Sequence, residues 1–216
     1  MVKVERVKKK YTTGKGELVG YLTLTKPSQQ YGNYSANILL SKAEGETLIS
    51  LLKELRKEQY SLCKNKGTLN NLPCVPFSTY NENTGENEPD SQGRYLLKTT
   101  NKAFNKEGKF VFKPQFINAK KEFITGGLPV GEGTIAKLSI LFEGYKAGSN
   151  VGISAKLLGG QIIKLVEYQN RPTVSLDDFD VEEGFDGLGE EFKNNTVAQT
   201  TTEDASEDGE EEEIDF

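Results

Sequence analysis

The chain has 216 residues, of which 27 are basic, 32 are acidic, two are cysteine and none is histidine, and its formal net charge is −5. The lack of histidine excludes Ser-His and Cys-His catalytic pairs, and two cysteines alone supply too few ligands for a zinc site. No segment approaches the roughly 20 apolar residues of a membrane span, and no apolar run follows the charged N-terminus, so we expect a cytoplasmic protein with reduced thiols and no membrane partner.

Charge is distributed unevenly along the chain. From Asp177 onward there are 17 acidic residues and one basic residue, so this segment carries −16 and residues 1–176 carry +11. We therefore predict one folded domain over residues 1–176 and a disordered acidic tail over residues 177–216, because so dense a charge cannot bury a core. The basic domain needs an anionic partner such as nucleic acid, whereas the tail competes for the same surface or serves only solubility. The terminal Phe216 favours a binding role, because a solubility tail needs no apolar anchor.

The first predicted elements are two strands and a helix. Residues 17–25 alternate between two faces, which is typical of a strand, and residues 34–40 predict a second one. Residues 41–44, Ser-Lys-Ala-Glu, have the pattern of a capping box that opens a helix. The apolar stripe of that helix consists of leucines at helical spacing: Leu48, Leu51, Leu52 and Leu55.

The remainder of the domain predicts a long loop and then several short strands. Residues 65–92 are rich in Asn, Gly, Pro and acids, which indicates a loop with one short strand near residues 75–79. Glycine-rich turns, including Gly159-Gly160, separate strand patterns at residues 94–100, 109–113, 135–142, 151–158 and 161–168. About seven short strands and one helix favour a mainly β protein: a single OB-fold-like antiparallel barrel with one added helix. A β-sandwich requires the same strands and is the alternative.

The barrel region interleaves cations with aromatic rings. Single-stranded nucleic acid requires this mixture, because cations follow the phosphates while flat rings stack on bases without reading their identity. Rings at alternating strand positions usually lie in the core, so we expect Phe110, Phe112 and Phe142 to be internal. Tyr145 lies between two glycines in a predicted turn, which favours exposure. The candidate DNA-binding residues are Tyr31, Tyr34, Arg94, Lys98, Lys102, Lys113, Tyr145 and Lys146.

Signatures of catalysis are scarce. The sequence contains neither a P-loop nor a Gly-rich dinucleotide turn after a strand. The 15 acidic residues before Asp177 are scattered among basic neighbours, whereas a two-metal nuclease clusters its carboxylates. We therefore expect no enzyme activity, no cofactor and no metal.

Three blocks of sequence, in this order, resemble the replicative single-stranded DNA-binding proteins of tailed phages. The blocks are Lys26-Pro27 with Tyr31-Gly32 and the following strand and helix, then Val75-Pro76-Phe77, then residues 138–166 with Tyr145-Lys146 and Val151-Gly152. The acidic tail ending in Asp215-Phe216 completes the resemblance. It implies an OB-fold with an added helix that binds single strands without sequence preference during replication and recombination in the infected bacterial cytoplasm. It also implies a tail that contacts replisome proteins, such as DNA polymerase or helicase-primase, and supports a homodimer.

The resemblance assigns roles to individual residues. Tyr145 matches the stacking ring, Lys146 the neighbouring cation, and Lys98 and Lys102 a basic strand along the DNA groove. Asp215 and Phe216 match the end of the tail that binds partners. The chain departs from the family where some relatives place a Trp beside this Tyr, and it adds an acidic-aromatic stretch at residues 177–192. The alternative interpretation is a non-catalytic structural or assembly protein whose tail shields basic partners.

Overall fold

The computed structural model describes residues 5–167, apart from residues 65, 83, 106, 126 and 128. The mainly β fold with a single helix is confirmed in this part of the chain. The predicted boundary at residue 176 and the tail, with Asp215 and Phe216, lie outside the described residues. The elements in chain order are β1 (Lys8–Thr12), β2 (Gly16–Leu18), β3 (Asn33–Leu40), α1 (Lys42–Leu62), β4 (Thr68–Leu69), β5 (Cys74–Pro76), β6 (Ser78–Asn81), β7 (Glu86–Pro89), β8 (Tyr95–Lys102), β9 (Gln115–Ile117), β10 (Ile135–Ala147) and β11 (Asn150–Lys164).

One curled sheet forms the body of the fold. Its main path runs β11-β10-β2-β3-β8, and β1 also pairs with β10, so β1 and β2 together act as the first barrel strand. The two ends of the path meet where Asn101 Nδ2 on β8 donates to the Leu157 carbonyl oxygen on β11 at 3.0 Å. No backbone ladder joins β8 to β11 within the described residues. The predicted barrel is therefore one whose sheet is not closed.

The strand predicted over residues 17–25 is interrupted. β2 ends at Leu18, and Gly20 has a φ of 70°, a conformation that glycine adopts without steric penalty. Beyond β2, Thr23 forms an isolated bridge with Ser35, and Val19 and Ser28 each donate one backbone hydrogen bond to β3. Residues 19–32 therefore form a loop between the first and second barrel strands.

Helix α1 begins where the capping-box pattern predicts. The Ser41 hydroxyl accepts a hydrogen bond from the Glu44 backbone N–H at 3.4 Å. The Glu44 carboxylate accepts from the Gly14 N–H at 2.7 Å and from the Tyr11 hydroxyl at 3.1 Å, which ties the helix to the first strand. Burial, together with the Glu44 charge, raises the pKa of Tyr11 to about 12. Of the predicted leucine stripe, Leu51 is half-buried and the other members lie in the core.

Residues 65–92, predicted as a long loop, contain four short strands. β4 adds to β11 in parallel, and β5 adds to the edge of β8. β6 and β7 form a separate two-stranded hairpin. The hairpin is exposed except at the half-buried Asn81, so its residues lack the apolar alternation by which a half-buried strand is detected.

The two longest strands correct two sequence predictions. β11 continues through Gly159-Gly160, where a turn was predicted, because the absence of side chains there lets neighbouring backbones approach. A Cβ on Gly159 would collide with the Gln115 backbone, and one on Gly160 would lie 2.5 Å from the Lys137 carbonyl oxygen. β10 likewise extends to Ala147, so Tyr145 and its neighbour Lys146 lie in a strand and not in a turn.

Candidate nucleic-acid interface

The outward side of β3 and β8 forms a polar surface with two exposed lysines. Burial alternates along both strands, with the even-numbered residues of β3 and the odd-numbered positions Leu97 and Thr99 of β8 turned inward. The outward residues, which we call the β3–β8 face, pair across the strands: Asn33 with Lys102, Ser35 with Thr100, and Asn37 with Lys98.

This face confirms that Lys98, Thr100 and Lys102 share one side of a strand. Both lysines are exposed, and within the described part of the chain neither has a carboxylate within ion-pair distance. They lie about 13 Å apart along the strand, at four steps of roughly 3.3 Å. The Asn33 side chain donates to the Thr100 hydroxyl at 3.0 Å and so fixes the polar groups between them.

Aromatic rings lie beside Lys102 at one end of the β3–β8 face. Tyr31 precedes β3 and is 70% exposed, and the Phe104 ring packs against Gly32, where an added Cβ would lie 3.3 Å from it. The Ala103 N–H donates to the Gly32 carbonyl oxygen at 3.0 Å, which joins the two segments. Phe104 meets Phe110 edge-on with 5.9 Å between ring centroids.

The predictions for three phenylalanines have different outcomes. Phe142 lies in the core and Phe112 is half-buried, but Phe110 is 57% exposed, so its prediction as a core residue is wrong. The strand predicted over residues 109–113 is absent among the described residues there, and Phe110 forms only an isolated bridge with Phe104. This bridge lies outside the main sheet, and the edge contact with Phe104 leaves more than half of Phe110 exposed.

Tyr145 and Lys146 lie near the Lys98 end of the β3–β8 face, beside the turn at Gly148-Ser149. The Tyr145 hydroxyl accepts a hydrogen bond from Asn70 Nδ2 at 2.6 Å, and its ring covers Gly152. Tyr145 is therefore half-buried, while Lys146 is exposed. The Lys98 N–H donates to the Pro73 carbonyl oxygen at 2.9 Å. Because Asn70 and Pro73 are three residues apart, at most roughly 11 Å of backbone separates the Tyr145 contact from the β3–β8 face.

Three other candidate residues lie away from the β3–β8 face. The Tyr34 ring is 2% exposed in the core, where burial raises its pKa, so it has no surface on which a base could stack. Arg94 is paired with Asp90 at 2.9 Å and Glu17 at 3.2 Å. Lys113 is exposed and lines a groove next to the 19–32 loop.

The ion pairs of Arg94 have a structural consequence. Hydrogen bonds from the Arg94 side chain and backbone lower the pKa of Asp90 to about 2. The guanidinium also lies 5.8 Å from the centroid of the Phe77 ring. These contacts hold the base of the β6–β7 hairpin against the barrel, and they neutralise the charge that a phosphate contact would require.

Sequence reasoning missed β1, whose lysines have no apolar alternation. Glu143 on β10 is buried and forms ion pairs with Arg6 at 3.6 Å, with Lys8 at 3.8 Å, and with Lys156. Burial raises the pKa of Glu143, but the hydrogen bond and charge of Lys156 and the charges of Arg6 and Lys8 outweigh it, so the pKa is lowered overall. These three cations are therefore occupied by a carboxylate.

The described residues offer neither a metal centre nor a membrane-spanning helix. Between residues 5 and 167, with the gaps given above, no cluster of three or more His, Cys, Asp or Glu side chains is placed to hold a metal ion. The helix in this range is not long and apolar enough to cross a membrane.

The fold is that of single-stranded DNA-binding proteins from phages. No protein-family model and no curated protein sequence matches the chain. Among solved structures, gp2.5, a single-stranded DNA-binding protein encoded by bacteriophage T7, aligns with a TM-score of 0.57 at 14% identity over 84% of this chain and 100% of that one. The single-stranded DNA-binding protein from bacteriophage Enc34 aligns with a TM-score of 0.51 at 16% identity over 78% of this chain and 88% of that one.

The Enc34 protein is also known in complex with single-stranded DNA. That structure aligns with a TM-score of 0.50 at 15% identity, covering 73% of this chain and 88% of that one. The resemblance to phage single-stranded DNA-binding proteins that the sequence motifs predicted is thus matched by the fold.

Proposed function

We propose that the protein binds single-stranded DNA without sequence preference along the β3–β8 face. The observation that carries this proposal is the pair of exposed lysines, Lys98 and Lys102, which have no ion-pair partner among the described residues, with Tyr31 and Phe104 beside Lys102. OB barrels bind oligonucleotides across their second and third strands and between the loops that join strands one to two and four to five. In this chain β3 and β8 are the second and third barrel strands. The 19–32 loop and the Gly148-Ser149 turn make those two connections.

The chemistry of the face accounts for binding without sequence preference. Lys98, Lys102 and Lys146 contact phosphates, which carry charge but no sequence information. Tyr31, Phe104 and Tyr145 stack on bases, and each stacked base contributes roughly 1–3 kcal/mol to binding. Because every base has a π-face, stacking does not depend on sequence. The fold shared with an Enc34 protein that binds single-stranded DNA supports this assignment.

The biological part of the proposal concerns the acidic tail. Residues 177–216 carry −16 and are tethered to a domain of +11, so they occupy the basic face when DNA is absent. When DNA displaces the tail, Asp215 and Phe216 become free to bind replisome proteins, such as a DNA polymerase or a helicase-primase. In this role the protein is a non-catalytic, homodimeric component of phage DNA replication and recombination in the cytoplasm of the infected host.

Fluorescence anisotropy with labelled oligo-dT over a range of salt concentrations tests DNA binding. The Lys98→Gln and Lys102→Gln double variant should bind more weakly. The slope of log affinity against log salt should become shallower by about 1.4, because each lysine that neutralises a phosphate contributes roughly 0.7 to it. The matched control is Lys53→Gln with Lys57→Gln on the exposed side of α1, which changes the charge equally. Equal slopes for the two double variants would place DNA elsewhere, and an intact chain that fails to bind at about 50 mM salt would favour the alternative of an assembly protein.

A further inference from the structure

A groove opens from the β3–β8 face and passes under the 19–32 loop. Its first part has a volume of 740 Å³ and is bounded by residues 21–31 together with Asn33 and Ser35, two members of the β3–β8 face. Its second part has a volume of 360 Å³. The two parts share Leu24, Thr25 and Val130 in their linings, so they lie side by side, and we call them together the distal groove.

The lining of the distal groove suits a polyanion. None of its lining residues in the described chain is Asp or Glu, although the sequence contains 32 acidic residues. Two lysines line it, Lys26 in the first part and Lys113 in the second. Since low-dielectric walls strengthen the field of such cations, the groove attracts phosphates.

Exposed rings stand along the same groove. Tyr21 is 74% exposed and Phe123 is 67% exposed, although burial would stabilise an apolar ring. Phe123 is held in place by its backbone: it bridges Ile117, and the next residue, Ile124, donates its N–H to the Phe116 carbonyl oxygen at 3.0 Å. The backbone pairing therefore fixes the position of Phe123, and most of its side chain is exposed to solvent.

We propose that the distal groove is a second segment of the DNA site, which holds nucleotides of the same single strand beyond Lys102. The Phe123 ring stacks on a base, and Lys113 and Lys26 contact phosphates. This inference rests on the proposed function, and it adds a length requirement that the β3–β8 face alone does not have. A single OB fold covers about 4 to 16 nucleotides, and the two segments together belong toward the upper end of that range.

The inference is tested by measuring the affinity of the full chain for oligo-dT of about 4 and of about 16 nucleotides, the limits of that range. Phe123→Ala should weaken binding of the longer oligonucleotide about fivefold or more, as loss of one stacked base predicts, and leave the shorter one nearly unchanged. Lys113→Gln should make the salt dependence shallower by about 0.7 for the longer oligonucleotide only. The matched controls are Tyr80→Ala, an exposed ring on β6, and Lys53→Gln; neither should show a length-dependent effect.

Each outcome separates the distal groove from the β3–β8 face. If the Phe123 and Lys113 variants bind both lengths like the unmodified chain, or lose affinity equally for both, the distal groove is not part of the DNA path. If Phe123→Ala tightens DNA binding, the ring holds the acidic tail and the assigned occupant is wrong. If the unmodified chain binds neither length, the proposed function itself fails. Circular dichroism checks that each variant is folded. We expect both to fold, because the Phe123 and Lys113 side chains are exposed.

Discussion

Replacing Tyr145 by phenylalanine and by alanine separates the two roles that the structure gives this side chain. Its hydroxyl accepts the 2.6 Å hydrogen bond from Asn70, and its half-buried ring covers Gly152. Tyr145→Phe removes only the hydrogen bond, so it should lower the free energy of unfolding by about 1 kcal/mol. Because the ring remains, single-strand affinity should stay nearly unchanged.

Tyr145→Ala removes the ring as well. Loss of the hydrogen bond and of a half-buried aromatic should lower the free energy of unfolding by about 2 kcal/mol, which a domain of this size tolerates. If the ring stacks on DNA, affinity for oligo-dT should also fall by about 1–3 kcal/mol. Loss of a fully exposed ring would lower DNA affinity alone. Because Tyr145 is half-buried, this variant should lose both stability and DNA affinity.

Urea denaturation and fluorescence anisotropy, performed on the same preparations and at one salt concentration, measure the two effects. Tyr80→Ala, which removes an exposed ring from the β6–β7 hairpin, is the matched control and should leave both quantities nearly unchanged. A Tyr145→Ala protein that is destabilised as expected but binds like the unmodified chain would show that Tyr145 only braces the barrel. Equal loss of DNA affinity in the Phe and Ala variants would assign the effect to the Asn70 hydrogen bond instead of stacking.

Three further predictions concern stability and the tail. Glu143→Gln should lower the free energy of unfolding by about 1–2 kcal/mol at pH 7, because it leaves three cations without their carboxylate. The pKa of Glu143 is lowered in the folded state, so its carboxylate stabilises the fold only while it is ionised. Urea denaturation should therefore show the difference between the two proteins shrinking as the pH falls below about 4. Gly159→Ala should lower the thermal midpoint clearly, whereas Gly127→Ala, with open space around it, should not. Deleting residues 203–216 should tighten DNA binding most at low salt, whereas deleting Phe216 alone should weaken partner capture and leave DNA affinity unchanged, as anisotropy and pull-down would report.

Local patterns predicted the elements whose burial alternates or repeats. β3 and α1 begin within one residue of their predicted starts, because the inward residues of β3 and the leucines of the helix record which side faces the core. The same alternation places Lys98 and Lys102 on one outward side of their strand. These predictions depend only on neighbours in sequence, which is why they hold.

Contacts between residues far apart in sequence cannot be predicted from local patterns. Gly159 and Gly160 signalled a turn, but they lie within β11 because Gln115 and Lys137, far away in sequence, approach their backbones. Arg94 carries the positive charge that a DNA contact needs, yet Glu17, 77 residues away in sequence, helps to neutralise that charge. Only tertiary structure shows which cations are already paired.

The pairing of cations leads to a quantitative expectation for the salt dependence. The net charge of +11 over residues 1–176 would correspond, at roughly 0.7 per phosphate, to a slope near −8 if every excess charge met a phosphate. The described structure instead leaves five exposed lysines along the proposed DNA path: Lys26, Lys98, Lys102, Lys113 and Lys146. Five phosphate contacts give a slope of about −3.5. An anisotropy titration that yields a slope near −8 would mean that DNA contacts many cations outside this path, and would contradict the location proposed for it.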